Sequence, residues 1–208
     1  MTEDYLILNP PDGIAMFVFA HGAGAGMRHR WMGAVAARMA ERGIGSVRYE
    51  FPFMAAGKGS PDHPPAAHRA VRAAVEVARD AAPTLPLFAG GKSYGGRMTT
   101  QAEAERAMGL AGLACFGFPL HPPGKHGIER AAHLADVRVP MLFLQGDYDP
   151  LCDLDLMREA LKDRDQAELV IIEKSDHSLE HGRRDETGPA EAVDRMAVWV
   201  AKVIAARS

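Results

Sequence analysis

Short apolar runs alternate along the chain with longer segments whose apolar residues recur at helical spacing. The short runs predict strands at residues 14–20, 45–49, 85–89, 110–116, 141–145 and 169–172. The longer segments predict helices at residues 30–42, 66–82, 95–107, 151–161 and 189–206. Such regular alternation is typical of right-handed crossovers. We therefore expect an α/β fold with a mainly parallel central sheet and helices on both faces.

Two connecting segments, residues 51–65 and 118–127, are rich in proline and glycine, so we expect loops there. Each loop begins shortly after a predicted strand. Ligands of parallel sheets bind beyond the carboxyl ends of the strands, and chemically reactive residues follow several of the strands in this chain. We therefore expect a functional site at the carboxyl edge of the sheet.

The residues from Leu87 to Gly96 form the most informative pattern, an apolar strand followed by Gly-x-Ser-x-Gly and a predicted helix. This order is the signature of a nucleophile elbow, a sharp strand-to-helix turn that exposes one serine. Glycine is needed on both sides of the turn because a Cβ there would collide with the neighbouring strand and helix. The pattern predicts Ser93 as the nucleophile of an acyl-transfer reaction.

Two glycine-rich motifs of nucleotide-binding proteins are present only in incomplete form. A phosphate-binding loop that ends at Ser93 would need glycine at position 86, where the chain has Pro86. A dinucleotide-binding loop that begins at Gly22 would need glycine at position 27, where the chain has Met27. We therefore expect no nucleotide and no other cofactor.

A serine hydroxyl reacts at neutral pH when a base takes its proton and a carboxylate orients that base. After the serine of an elbow, the chain order of these partners is acid and then histidine. Asp147 and Asp149 both follow the strand predicted at 141–145, and we favour Asp149 because it stands at the outer end of the turn. His177 follows the last predicted strand in a short loop, whereas His181 lies one helical turn later. We favour His177 as the general base.

The segment from His21 to Gly26 follows the first predicted strand and contains only glycine and alanine after the histidine. A tetrahedral intermediate carries an oxyanion, which backbone N–H groups must stabilise. One donor is expected from Tyr94, directly after the nucleophile, and the other from Ala23 or Gly24. We expect His21 to brace this loop by hydrogen bonding.

Composition narrows the class of protein further. The 208 residues favour one domain, at residues 1–208, and a hydrophobic content of 47% suffices for a sizeable core. A formal net charge of −3 gives no attraction to nucleic acid or to an anionic membrane, and no apolar run approaches a membrane span. Cys115 and Cys152 lie far apart and in no metal-like spacing, so we expect no disulfide and no metal. The N-terminus lacks an apolar signal core, which favours a cytoplasmic protein.

Several motifs, taken together and in order, resemble those of one family. They are His21-Gly22-Ala23-Gly24-Ala25, Phe51-Pro52-Phe53, Gly91-Lys92-Ser93-Tyr94-Gly95-Gly96, Phe118-Pro119-Leu120-His121-Pro122-Pro123-Gly124, Gln145-Gly146-Asp147-Tyr148-Asp149 and Asp176-His177-Ser178-Leu179. The chain resembles the small, capless α/β-hydrolases described as dienelactone-hydrolase-like, which include relatives of a eukaryotic testis-expressed protein and of a chromatin-complex subunit. The resemblance implies an α/β-hydrolase fold with about seven strands and a triad of Ser93, Asp149 and His177. True dienelactone hydrolases use a cysteine nucleophile, so serine at position 93 argues against that specific activity.

The chain has no room for a cap domain between the strand that ends near Phe116 and the strand that starts at Met141. We therefore expect a shallow, open site bordered by the two Pro/Gly-rich loops. Candidate substrate-pocket residues are Phe53 and Met54 in the first loop and Leu120 and His121 in the second. An open site suits short acyl chains, or acyl groups exposed on larger molecules.

These patterns favour a serine hydrolase that cleaves carboxylic esters or thioesters through an acyl-enzyme on Ser93. The expected partner is a small-molecule ester or thioester. The alternative is a catalytically silent protein that uses the same fold for binding, because a fold does not fix a function. The intact order of Ser93, Asp149 and His177 argues against that alternative.

Overall fold

A computed structural model describes residues 4–207 of the chain. These residues form seven strands, namely β1 (Tyr5–Leu8), β2 (Ala15–Ala20), β3 (Ile44–Tyr49), β4 (Leu87–Lys92), β5 (Gly112–Phe116), β6 (Met141–Gly146) and β7 (Ala167–Ile172). The same residues form six α-helices, namely α1 (Arg30–Glu41), α2 (Pro52–Ala55), α3 (Pro64–Ala81), α4 (Tyr94–Glu105), α5 (Leu154–Leu161) and α6 (Thr187–Ala205). A 3₁₀ helix spans Glu129–Asp136.

The strands form one sheet in the order β1-β3-β2-β4-β5-β6-β7. All neighbouring pairs are parallel except β1 and β3, which are antiparallel. The mainly parallel sheet predicted from the sequence is therefore confirmed, and β1 is the strand that the sequence did not predict. This strand is short and stands at the edge of the sheet, where Ile7 and Leu8 are exposed, so its pattern is weak.

The central strand β2 shows how the sheet is buried on both faces. Met16 and Val18 pack in one core cluster with residues of α3 and α4, whereas Phe17 and Phe19 pack in the other with residues of α1 and α6. All six residues of β2 are buried. Because successive side chains point to opposite faces, a strand covered on both sides is apolar throughout, which explains its clear signal in the sequence.

The first predicted loop, residues 51–65, is partly helical. It contains α2 and the start of α3, so the prediction of a loop is wrong at residues 52–55 and 64–65. Pro52 and Pro64 each begin a helix, where a missing N–H group leaves no hydrogen bond unmade. The second predicted loop, residues 118–127, contains no helix or strand.

The carboxyl edge of the sheet carries the residues singled out by the sequence. His21 follows β2, Ser93 follows β4, Asp149 follows β6 and His177 follows β7. Between β5 and β6 the described residues form the second loop and the 3₁₀ helix, and they contain no cap domain. This edge therefore stays uncovered above the parallel strands.

Candidate active site

Ser93 stands at the turn from β4 into α4 with φ 50° and ψ −116°, a conformation that L-residues rarely adopt. Such strain costs on the order of 1–3 kcal/mol and persists only where surrounding contacts impose it. Here the N–H of Ser93 donates to the carbonyl of Phe116 at 3.0 Å, and its carbonyl accepts from the N–H of Arg97 at 3.1 Å. The backbone at Ser93 is thus held between the sheet and the helix.

Glycines flank Ser93 because the end of β2 approaches the turn closely. A Cβ at Gly95 would lie 2.5 Å from the carbonyl oxygen of His21, and a Cβ at Gly91 would clash with the carbonyl oxygen of Ala20. Both obstacles are backbone atoms, which cannot rotate away. The Gly-x-Ser-x-Gly pattern therefore has a steric cause in this chain.

His177 connects Ser93 to Asp149 through its two ring nitrogens. Its Nε2 lies 2.8 Å from Ser93 Oγ, and its Nδ1 lies 2.7 Å from Asp149 Oδ2. A carboxylate only accepts hydrogen bonds, so Nδ1–H donates to Asp149 and the Nε2 lone pair faces the serine hydroxyl. This arrangement allows His177 to take the proton of Ser93.

Asp149 is 5% exposed, and its carboxylate has further partners. Oδ2 also accepts from the side-chain amide of Gln145, and Oδ1 accepts from the N–H of Leu151 at 2.8 Å. A buried carboxylate needs such partners to remain charged. These hydrogen bonds also fix the side chain that orients His177.

The structure separates the two acids and the two histidines between which the sequence left a choice. Asp147 is exposed, and its Oδ1 accepts from the N–H of Ser175 at 3.1 Å. His181 is exposed near the start of α6, where its Nδ1 lies 2.9 Å from Thr187 Oγ1. Of the two histidines, His177 is the one that contacts Ser93, and of the two acids, Asp149 is the one that contacts His177.

His21 braces the glycine-rich loop after β2, as the sequence predicts. The side chain is fully buried, Nδ1 donates to the carbonyl of Gly22 at 2.7 Å, and Nε2 accepts from the N–H of Phe51 at 3.0 Å. Burial lowers the pKa of His21, and the backbone carbonyl of Gly22 and the nearby Glu50 act in the opposite direction. The first end of the loop is thus fixed by a histidine ring.

Glu50 and Arg48 hold the other end of this loop, a role that the sequence analysis missed. The N–H of Met27 donates to Glu50 Oε1 at 2.9 Å, and the carbonyl of Met27 accepts from Arg48 Nη1 at 3.2 Å. A Cβ at Gly26 would lie 2.5 Å from Glu50 Oε1, so the loop packs directly on the carboxylate. In the sequence, the only sign of this close contact was glycine at position 26, one residue before Met27.

Ala23 and Gly24 lie exposed between these two anchors. Within residues 4–207, the N–H groups of Ala23 and Gly24 have no hydrogen-bond acceptor. A Cβ at Gly22 would lie 3.7 Å from Ser93 Cβ, so the loop runs beside the serine. Tyr94 is the first residue of α4, so its N–H has no acceptor within the helix. The two segments next to Ser93 therefore carry N–H groups whose hydrogen bonds are not used within residues 4–207.

Two of the candidate pocket residues do not line an open pocket. Phe53 is buried against Tyr94, with ring centroids 5.8 Å apart, and Leu120 is fully buried in the same core cluster. Each loop turns these apolar side chains inward because burial removes them from water. The prediction is therefore wrong for Phe53 and Leu120, whereas Met54 is only partly buried.

His121 lies at a cavity of about 620 Å³ that also borders Asp149. The ring is buried, Nε2 accepts from the N–H of Asp153 at 3.0 Å, and the ring stacks on His126 at 4.7 Å. Tyr148 is 67% exposed next to Asp149 and was not singled out from the sequence. In the sequence, the available signal was an aromatic residue between the two candidate acids, Asp147 and Asp149.

Both cysteines of the chain are free and buried. Burial raises the pKa of the Cys115 thiol, and burial with two nearby aspartates raises that of Cys152 to about 12. No group of three or more His, Cys, Asp or Glu residues within 4–207 is arranged to hold a metal ion. No helix in that part of the chain has the length and apolar character needed to cross a membrane.

The parallel sheet, the serine at a strained elbow and the uncovered carboxyl edge together define the class of α/β hydrolases. Residues 13–205 match the model of a family described as an alpha/beta hydrolase domain, and the chain belongs to this family. The resemblance to small, capless α/β-hydrolases found in the sequence is thereby confirmed.

Solved structures of similar fold cover nearly the whole chain. A dienelactone hydrolase from Anabaena variabilis superposes with a TM-score of 0.77 at 18% identity, over 95% of this chain and 90% of that one. A serine hydrolase without a lid from Xanthomonas campestris gives 0.68 at 22% identity, over 96% and 87%. Est1E from Butyrivibrio proteoclasticus gives 0.67 at 15% identity, over 97% and 94%. These likenesses establish the fold.

Proposed function

We propose that the protein is a serine hydrolase that cleaves carboxylic esters or thioesters through an acyl-enzyme on Ser93. The observation that carries the proposal is the hydrogen-bonded chain from Ser93 Oγ to His177 Nε2, at 2.8 Å, and from His177 Nδ1 to Asp149 Oδ2, at 2.7 Å. The strained backbone at Ser93 supports it, because strain of this kind is characteristic of functional sites.

In the first half-reaction Ser93 Oγ attacks the carbonyl carbon, and its proton moves to His177 Nε2. The carbonyl oxygen becomes an oxyanion, which accepts hydrogen bonds from the N–H of Tyr94 and from the N–H of Ala23 or Gly24. When the tetrahedral intermediate collapses, His177 gives its proton to the leaving oxygen or sulfur. The acyl group then remains on Ser93 as an ester.

In the second half-reaction water attacks the acyl carbon, and His177 Nε2 takes a proton from that water. Collapse of this intermediate returns the proton to Ser93 Oγ and releases the carboxylic acid. Asp149 stays ionised throughout, holds Nδ1–H and stabilises the imidazolium that forms in each half-reaction.

The uncovered site supports small esters and thioesters as substrates. With no cap domain in the described residues, a long acyl chain has no apolar cover above the sheet edge. We therefore propose that short acyl chains, or acyl groups that project from larger molecules, react best. A series of nitrophenyl esters from acetate to octanoate, with matched thioesters, tests this preference through kcat/KM.

A fluorophosphonate probe tests the nucleophile directly. Intact mass spectrometry should show one adduct per chain on the parent protein and none on Ser93→Ala. Removal of the serine of such a unit costs kcat on the order of 10⁶-fold in a well-studied serine protease, so turnover should also be lost. A folded parent without an adduct would overturn the proposal and favour the silent binding protein.

A further inference from the structure

Lys92 links the two loops that carry the nucleophile and the base. It is the last residue of β4 and immediately precedes Ser93. Its Nζ donates to Ser178 Oγ at 2.9 Å, and Ser178 immediately follows His177. One ammonium group therefore joins the chain neighbour of the nucleophile to the chain neighbour of the base.

Trp31 holds the same serine through its backbone carbonyl. Its indole N–H donates to the carbonyl of Ser178 at 2.9 Å, and the Nζ of Lys92 lies 5.1 Å from the centroid of the Trp31 ring. Trp31 is buried and packs edge-on against Phe116 at 5.9 Å, so the indole belongs to the core. A cation over a tryptophan face gains an attraction that Lys92 would lose in water.

Lys92 also lies against the loop that offers the oxyanion donors. A Cβ at Gly22 would lie 3.8 Å from Lys92 Cγ, so the aliphatic stem runs beside the start of that loop. Burial lowers the pKa of Lys92, while Asp176, Asp149 and Glu180 raise it. Two of these carboxylates, Asp176 and Glu180, belong to the loop that carries His177.

The base loop, residues 173–181, has no helix or strand of its own. Its internal hydrogen bonds close a turn in which Asp176 Oδ1 accepts from the N–H of Ser178 at 2.7 Å and from the N–H of Glu180 at 3.1 Å. Such bonds give the turn its shape, but they do not place it relative to Ser93. That placement depends on contacts with neighbouring elements. Arg30 of α1 donates to Glu180 at 3.0 Å, and Asp147 accepts from the N–H of Ser175 at 3.1 Å. Lys92 and Trp31 supply the contacts at Ser178, the residue next to His177.

We propose that Lys92 and Trp31 are positioning residues that set His177 against Ser93 by fixing Ser178. This inference rests on the proposed function, because it concerns the geometry of the same proton transfer. A displacement of about 1 Å between reacting groups can cost about 10²-fold in rate. Loss of the Lys92 contact should therefore lower the rate of reaction at Ser93 without weakening ligand binding.

The test measures the rate of fluorophosphonate labelling against probe concentration for five variants that first pass a thermal-unfolding check. The variants are Lys92→Met, Ser178→Ala, the double variant, Trp31→Phe and, as a control, Lys202→Met, which removes a lysine exposed on α6. We expect the limiting rate to fall about 10²-fold for Lys92→Met and for Ser178→Ala, which remove the two partners of one hydrogen bond, and about tenfold for Trp31→Phe. The half-saturating probe concentration and the control rate should stay unchanged.

The double variant separates positioning from a general structural effect. If Lys92 acts through Ser178, the double variant should react no more slowly than Lys92→Met alone. Effects that multiply, or a Lys92→Met rate within twofold of the parent, would overturn the inference while the labelled parent still supports the proposed function. An unlabelled parent would overturn both. If Lys92→Met does not fold, Ser178→Ala, which removes one hydroxyl, takes its place in the test. A Ser178→Ala rate within twofold of the parent would then overturn the inference.

Discussion

The reacting edge of the site and the walls around it are built in different ways. At the edge, Ser93, Asp149 and His177 each follow a strand and are fixed by hydrogen bonds to backbone or to one another. The walls, residues 51–65 and 118–127, are fixed by apolar side chains such as Phe53 and Leu120 that pack inward. Hydrogen bonds between a few side chains hold the atoms of the proposed reaction in place, whereas the walls depend more on core packing.

After the loss of Ser93 itself, the largest effect should come from one atom of the Asp149 carboxylate. Asp149→Asn replaces an acceptor with an amide that can donate to His177 Nδ1, which favours the wrong tautomer. In a serine protease the equivalent change lowers kcat by about 10⁴-fold, and we expect a loss of that order here. Asp147→Asn is the matched control, because Asp147 contacts Ser175 and not His177, and kcat should stay within about threefold. Equal losses in both variants would contradict the assignment of Asp149.

A smaller effect on rate is expected at the anchor of the glycine-rich loop after β2. Glu50→Ala removes the acceptor of the Met27 N–H, which should loosen the loop and lower kcat by up to about 10²-fold with little change in KM. Glu50→Gln keeps a side-chain oxygen at the same place and should retain most of the activity. If the alanine and glutamine variants lose the same activity, the carboxylate charge and not the anchor would be responsible.

Substitutions in the walls should change the stability of the protein and leave kcat nearly unchanged. Leu120→Ala removes a fully buried side chain and should lower the free energy of unfolding by about 2–5 kcal/mol, with kcat of the folded protein nearly unchanged. Met54→Ala, at a partly buried position that packs against the core, should lower the free energy of unfolding by less, about 1 kcal/mol, and should raise KM. Urea unfolding and steady-state kinetics on both variants measure the contrast. A large loss of kcat in Leu120→Ala would remove the distinction between edge and walls.

The smallest expected effect is a pH dependence of the free energy of unfolding, which comes from His133 behind the second wall. Burial, with Arg97 and His68 nearby, lowers the pKa of His133 from 6.5 to about 4, and its Nε2 lies 2.8 Å from Thr100 Oγ1. Because the unfolded state takes up this proton first, stability present above pH 6.5 is lost as the pH falls toward 4. Between pH 7.5 and 5.5 the loss should be about 1 kcal/mol.

His133→Gln, which has an amide that can still contact Thr100, should remove this part of the pH dependence. Urea unfolding at the two pH values, on parent and variant, gives the comparison. The same slope in both proteins would show that His133 is not the group that titrates.

The edge was predictable because its signals are local. Glycine is forced at positions 91 and 95 by backbone atoms of β2, so Ser93 carries its own sequence signature. The parallel strands are buried on both faces and read as apolar runs. Because the strands could be located, the acid and the histidine that follow them could be found in chain order. Asp149 could be preferred to Asp147 only weakly, because two residues of one turn differ in direction and not in type.

The walls were less predictable because inward and outward residues of a loop share no period. Phe53 and Leu120 are apolar and lie in Pro/Gly-rich segments, and nothing in those segments indicates which side chains turn to the core. Pro52 contributed to the prediction of a loop at residues 51–65, although it begins α2. The roles of Glu50 and Lys92 depend on partners 23 and 86 positions away, a separation that no local pattern encodes.

The close packing around the elbow restricts which residues can stand at positions 91 and 95, but it does not restrict the side chain at position 93 in the same way. Gly91 and Gly95 admit no larger residue, whereas the hydroxyl of Ser93 projects toward His177 with no such steric partner. The backbone of the elbow therefore fixes the position of the side-chain atom at residue 93 but does not require that this atom be oxygen. We therefore expect that Ser93→Cys would change the reactivity of the proposed nucleophile toward esters and thioesters and leave the backbone of the turn as it is.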